Sequence, residues 1–150
     1  MILVRHAHAG SKKHWSGPDE ARPLSGLGCE QAASLARRLA VDRVEVVWSS
    51  PAVRCLQTVR PLAEQRGLTV CSTPLLSKSG SARELLAWLH DAGQAASWVV
   101  CSHGEVFDAL HAQAQAAGLP ELSPADAMDK GSAWRLGRTP VYLAPEPAQD

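Results

Sequence analysis

Two stretches, Ile2-Leu3-Val4-Arg5-His6 and Trp98-Val99-Val100-Cys101-Ser102-His103-Gly104, decide how this chain folds. Each is a short apolar run, rich in β-branched residues, that stops abruptly at polar ones. That pattern predicts a strand buried on both faces, as in a parallel sheet, with its polar residues delivered at the carboxyl end. The second run leads directly into Val106, Leu110 and Ala114, the spacing of a helix face.

Between these two stretches the same alternation repeats. Ser25 is placed to cap a helix whose apolar face is Leu27, Ala32, Leu35, Ala36 and Leu39. Residues 44–48 read as a second strand, followed by Ser49-Ser50-Pro51, where Ser50 suits an N-cap and Pro51 the first helical position. Arg54 then falls in the first turn of a helix. Pro61 either kinks that helix or ends it, and the sequence leaves both open. Residues 68–72 read as a third strand and 81–90 as a helix with Leu85, Leu86 and Leu89 inward. Residues 132–136 and 141–143 are expected to be closing strands, with a loose tail beyond about residue 145.

Strands alternating with helices predict an α/β fold with a mostly parallel central sheet, and the whole of residues 1–150 is expected to form one domain. In such sheets ligands bind outside the carboxyl ends of the strands. Arg5, His6, Arg54 and His103 all fall there, so they are expected to converge although widely separated in sequence.

Composition narrows the function. The chain carries 15 acidic and 15 basic side chains and a net charge of zero, so no general field draws nucleic acid or an anionic membrane. An anion site must be local. Cys29, Cys55, Cys71 and Cys101 form no C-x-x-C pair, which argues against a zinc knuckle or a dithiol redox site and suits a reducing cytoplasm. No apolar run approaches the roughly 18–20 residues of a membrane span. The apolar start meets Arg5 and His6 at once, leaving no room for an export signal, so a cytoplasmic protein is expected.

Two arginines, a histidine to attack and a second histidine suit phosphoryl transfer. Arginine offers a planar fork of donors to phosphate oxygens, and a neutral imidazole at His6 can attack phosphorus to form a phosphohistidine. Singly, such residues more often lie on the surface or in salt bridges. Their joint position at strand ends carries the reading.

The motifs then add a resemblance. Leu3-Val4-Arg5-His6-Ala7, Arg22-Pro23-Leu24-Ser25 with Gly28, Ser49-Ser50-Pro51 with Arg54 and Gln57-Thr58, and Ser102-His103-Gly104 resemble, in order, the signatures of the histidine phosphatase superfamily, with Ala7 where Gly is usual. The resemblance implies a three-layer α/β/α sandwich of the phosphoglycerate mutase-like kind and a metal-independent phosphatase without cofactor. It makes His6 the phosphorylated nucleophile, Arg5 and Arg54 the phosphate grip, and His103 the residue completing a cationic pocket. The short length resembles the small bacterial phosphohistidine phosphatases. Residues 9–17 and 130–134 resemble, more narrowly, the domain that follows a Nudix domain in certain bacterial hydrolases of oxidised guanine nucleotides and dinucleoside polyphosphates.

A leaving alkoxide needs a proton, and many members of the family place an acid after the third strand. Here residues 73–80 contain no carboxylate before Glu84, which is expected to face solvent. Glu105 is the preferred candidate, with a pKa raised beside a desolvated pocket; a helix N-terminal glutamate favoured by the dipole is the alternative. Without an acid, phosphohistidine or acyl phosphate become the better substrates. Ser11 is a further candidate phosphate contact, and Lys12, Lys13 and Lys130 are possible rim cations. His8 and His14 lack the carboxylate or thiolate that would complete a metal-ligand spacing. Trp48, Trp88, Trp98 and Trp134 are expected in the core, and Trp15 in a lid. The partner is expected to be a small phosphorylated substrate or a phosphoprotein. A non-catalytic phosphate- or nucleotide-binding regulatory domain and, more weakly, a phosphomutase are the competing readings.

Overall fold

In the structure, a computed structural model describing residues 1–92 and 97–146, ten regular elements build a six-stranded sheet flanked by helices. They are β1 (Ile2–Arg5), α1 (Gly26–Arg38), β2 (Val46–Ser49), α2 (Val53–Gln65), β3 (Val70–Ser72), α3 (Ala82–Asp91), β4 (Trp98–Ser102), α4 (Gly104–Ala116), β5 (Ala133–Arg135) and β6 (Val141–Leu143). The strand order is β3-β2-β4-β1-β5-β6. The first four are parallel, and β5 and β6 join antiparallel.

Alternation along the strands sorts the core into two layers. Ile2, Val4, Val47, Val99 and Cys101 pack with Leu35 and Leu39 at α1 and Val59 and Leu62 of α2. Leu3 and Val100 point the other way, against Leu85 and Leu89 of α3 and Phe107 and Leu110 of α4. The result is the expected three-layer α/β/α sandwich. Each fully buried leucine contributes about 2 kcal/mol relative to exposure. Trp48, Trp88 and Trp98 form a cluster with ring centroids 5.0–5.6 Å apart beside the second layer. Trp134 meets Tyr142 at 5.0 Å, while Trp15 stays exposed in its loop with its indole N–H on the Pro18 carbonyl.

One local expectation needs correction. Ser50 does not cap α2 with Pro51 as its first residue: the helix starts at Val53, with Ala52 at the cap position. The Ser50 hydroxyl is drawn to His103 instead, 2.9 Å from its Nε2. At Pro61, where the sequence left a kink or an end open, the helix does not end: α2 runs through to Gln65 with Val59, Leu62 and Ala63 buried against the sheet. By contrast, Ser25 caps α1 as expected, accepting from the Gly28 amide, and Ser81 caps α3 from Glu84. The part of the tail at 147–150 lies outside the described residues. Among the described residues no helix is long and apolar enough to cross a membrane.

Candidate active site

β1 and β4 are neighbours, yet the helix after β1 packs on one face of the sheet and the helix after β4 on the other. Chains leaving in opposite directions open a crevice at the carboxyl ends of these strands. His6 and His103 line it, buried at 5% and 2% exposure, their rings edge to face with centroids 5.4 Å apart. β4 fixes the first of them directly, since the His6 amide donates to the Ser102 carbonyl at 3.0 Å. The Gly131 amide donates to the carbonyls of Arg5 and His6 at 3.2 and 3.0 Å, tying the far wall to the same two residues. Gly131 does so with φ +81°, a conformation that favours glycine.

The orientation of the His6 ring decides what it can do. Its Nδ1 lies 2.8 Å from the Ala7 carbonyl, which can only accept, so Nδ1 carries the hydrogen. Nε2 is left with its lone pair. Burial lowers the His6 pKa from 6.5 to about 3, against the pull of the Ala7 hydrogen bond and with help from the charges of Arg54, His103 and Arg5. The ring is therefore neutral at any physiological pH, with Nε2 unprotonated. The Ala7 amide is held in turn by Thr58 Oγ1 at 2.9 Å, and that hydroxyl donates to the Arg54 carbonyl at 2.6 Å.

This buried neutral histidine should be visible in stability. In the unfolded chain His6 titrates near 6.5 and in the folded chain near 3, so between these values the unfolded state binds more protons. Stability then rises with pH through that window and falls on acidification. Urea unfolding at a series of pH values should show a shallower fall between about pH 6.5 and 3 in His6→Asn than in the parent chain.

Arg5 and Arg54 flank the histidines. The Arg5 guanidinium donates to the Met128 carbonyl and lies over Gly104, where an added Cβ would sit 2.8 Å from its Cζ. Only glycine leaves room for it. Arg54 is 1% exposed; its Nη2 faces His103 Nδ1 at 3.4 Å. The Nε atoms of both arginines are buried without a hydrogen-bond partner, and unpaired buried donors at a crevice are what an oxyanion would satisfy.

Other expected residues lie elsewhere. Ser11 is exposed and spends its hydroxyl on the Lys13 amide at 3.2 Å, capping a single turn in its loop. Lys12, Lys13 and His14 are exposed in that turn, and Glu84 is exposed on α3. His8 is half-buried, its Nδ1 2.7 Å from Ser25 Oγ. Among the described residues no group of three or more His, Cys, Asp or Glu is arranged to hold a metal. Lys130 is nearer: burial, then the charges of Arg5, Arg22 and Arg54, depress its pKa. Glu105 departs from expectation in its electrostatics. Its side chain is 63% exposed and 3.7 Å from the Lys78 ammonium. Burial pushes its pKa up, but Lys78, its own backbone amide and His103 outweigh that and hold it below the ordinary value. A raised pKa is not what the surroundings of Glu105 produce.

Two residues at the mouth, Asp19 and Lys78, escaped the sequence reading. Asp19 stands in a single turn, Asp19–Ala21, where its carboxylate meets Arg54 Nη2 at 3.0 Å, Arg22 Nε at 3.2 Å and Lys78 Nζ at 3.4 Å. Burial works against its charge, yet Arg54, Arg22 and Lys78 together hold its pKa far below the usual carboxylate range. Arg22, buried, also donates to the Ala9 carbonyl at 2.8 Å. The Asp-x-x-Arg spacing of 19 and 22 was the available signal, but in an irregular loop it does not reveal which strand end it will meet.

The profile of the histidine phosphatase superfamily (branch 1) matches residues 1–78, just over half of the chain. The chain belongs to the histidine phosphatase superfamily. Among curated relatives, an 8-oxo-(d)GTP phosphatase of Mycolicibacterium smegmatis is 32% identical over 114 residues, covering 73% of this chain and 35% of the relative. The chain thus spans about a third of that relative's length. SixA of Agrobacterium tumefaciens superposes with a TM-score of 0.70 at 23% identity, covering 96% of each chain. A mycobacterial glucosyl-3-phosphoglycerate phosphatase gives 0.66 at 18% identity, covering 89% of this chain and 87% of that one. At such identities the solved structures establish the superfamily's fold for this chain.

Proposed function

We propose that this histidine phosphatase superfamily member hydrolyses a phosphate monoester or a phosphoramidate, without metal or cofactor, through a phosphohistidine at Nε2 of His6. The single observation that carries the reading is the His6 ring: neutral, with Nδ1–H fixed on the Ala7 carbonyl and Nε2 free between two arginines. Membership of the superfamily and the phosphatase names of its relatives support phosphatase activity.

In the first half-reaction the Nε2 lone pair attacks phosphorus, the N–P bond forms, and the bond from phosphorus to the leaving oxygen or nitrogen breaks with its electron pair going to the leaving group. The imidazole becomes cationic as it takes the phosphoryl group, and the Nδ1–H to carbonyl bond stabilises that charge. Arg5 and Arg54 neutralise the equatorial oxygens. Water then attacks phosphorus, releasing inorganic phosphate and returning His6 to its neutral form.

The state of Glu105 bears on substrate choice. A carboxyl held below its ordinary pKa is a poor proton donor at neutral pH, so an alkoxide would leave without help. The imidazole of a phosphohistidine and the carboxylate of an acyl phosphate leave more readily. The reading therefore favours a small phosphoramidate, a phosphohistidine protein or an acyl phosphate over a sugar phosphate.

The test is a panel of p-nitrophenyl phosphate, phosphohistidine, acyl phosphate, sugar phosphates and nucleotides, assayed with excess chelator and quenched in alkali. The expected result is turnover that resists the chelator, fastest on the activated substrates, with an acid-labile, base-stable phosphoryl group on the peptide containing His6. No turnover on any member of the panel would leave a phosphate-binding domain as the better description.

A further inference from the structure

The resting site already contains an anion. A guanidinium has five N–H donors, and on Arg54 Asp19 takes one from each terminal nitrogen: Nη1 donates to its main-chain carbonyl at 2.8 Å and Nη2 to its carboxylate at 3.0 Å. Nη2 also faces His103 Nδ1, and Nε is buried without a partner. The fork that should meet phosphate oxygens is engaged by a residue of the chain itself.

The two partners differ in freedom. Arg54 is 1% exposed and fixed between α2 and His103, whereas the Asp19 side chain is 27% exposed on a one-turn helix in a loop whose residues 11–18 are all exposed. If one of them yields, it is Asp19. The carboxylate also has somewhere to go, since its Oδ1 rests on Arg22 and its Oδ2 lies 3.4 Å from Lys78. Leaving Arg54 need not strand it among apolar groups. Carboxylate and phosphate oxygens compete for the same donor geometry, and two anions so close repel.

We propose that Asp19 is a displaceable counter-ion of Arg54: it holds the guanidinium in place until a phosphoryl group takes over, and by returning it limits the affinity for inorganic phosphate. Asp19 is then a positioning residue that acts through Arg54. Its effect is to keep the product from lingering, because the carboxylate reclaims Arg54 as phosphate leaves. The inference deepens the phosphatase reading and rests on its placing the phosphate at Arg54.

The test compares the parent chain with Asp19→Asn, which keeps size and hydrogen bonding but removes the charge, and with Asp19→Glu, which restores it. Inorganic phosphate binding is measured by calorimetry, independently of turnover, and as competitive inhibition of p-nitrophenyl phosphate hydrolysis. Asp19→Asn should bind phosphate about tenfold more tightly or better and lower both KM and kcat, as product release slows; Asp19→Glu should stay near the parent. Unchanged or weaker phosphate binding in Asp19→Asn overturns the inference, reducing Asp19 to a strut for Arg54. If the asparagine chain does not fold, the same comparison is read from Asp19→Ser. Turnover with unchanged phosphate affinity defeats this inference alone. Tighter phosphate without turnover in the parent defeats the phosphatase reading alone, and no phosphate binding by any chain defeats both.

Discussion

Alanine at position 6 is expected to lower chelator-resistant turnover about a thousandfold or more and to abolish the phosphorylated intermediate. The size of the effect follows from the role. Arg5, Arg54 and His103 can still gather a phosphate, but no other free ring nitrogen stands between them to form the N–P bond. Stability loss does not account for such a fall. Removing a buried imidazole leaves a cavity that costs about 1–3 kcal/mol. That is a modest part of a domain's stability, so the variant should remain folded, and phosphate affinity should survive better than turnover. A kcat that changes less than tenfold would mean that the phosphoryl group goes directly to water.

Gly28→Ala should be the most damaging small substitution outside the crevice. Glycine is a poor helix former, and by propensity alone alanine in α1 would gain about 1 kcal/mol. The geometry forbids it: a Cβ there would lie 1.9 Å from the His8 carbonyl oxygen. That carbonyl cannot retreat easily, because it accepts from the Ser25 amide at 3.0 Å and the Ser25 hydroxyl at 3.1 Å. Either α1 shifts or the loop after His6 does. The expected loss is about 3 kcal/mol, near the upper end for overpacking, which for a domain of this size lowers Tm by roughly 10 °C. Gly26→Ala is the control, since nothing lies within 4 Å of its added Cβ. Thermal unfolding of the two variants side by side decides it: equal Tm values would mean that the approach of α1 to His8 is not constrained.

The parts legible in the sequence are those where one local rule acts alone. β1 and β4 are apolar runs that meet polar residues at a sharp boundary, so Arg5, His6 and His103 could be placed at strand ends from the pattern. Ser25 and Ser81 precede helical runs and cap them. Ser50 precedes a helix too, but a tertiary partner competes for its hydroxyl, and no local rule anticipates His103 arriving from β4. Pro61 is the same lesson for packing, where burial of Val59, Leu62 and Ala63 outweighs one missing backbone donor. Asp19 and Lys78 were least legible, because they lie in irregular segments and gain meaning only from what they face. Glu105 was located at the mouth, but its proton affinity depends on Lys78, a residue the helical pattern says nothing about.

The strand order also dictates when the nucleophile can be seated during synthesis. β4 lies between β1 and β2, so the first two strands made are not neighbours, and the gap between them waits for residues 98–102. The carbonyl that receives the His6 amide belongs to Ser102. A growing chain that has emerged only as far as α3 therefore exposes the unpaired edges of β1 and β2 and has no formed crevice. Closing so long a loop is slow, and open parallel edges are prone to wrong pairings in the meantime. Activity would thus switch on only after residues 98–102 have left the ribosome, and no fragment of this domain ending before β4 would carry it.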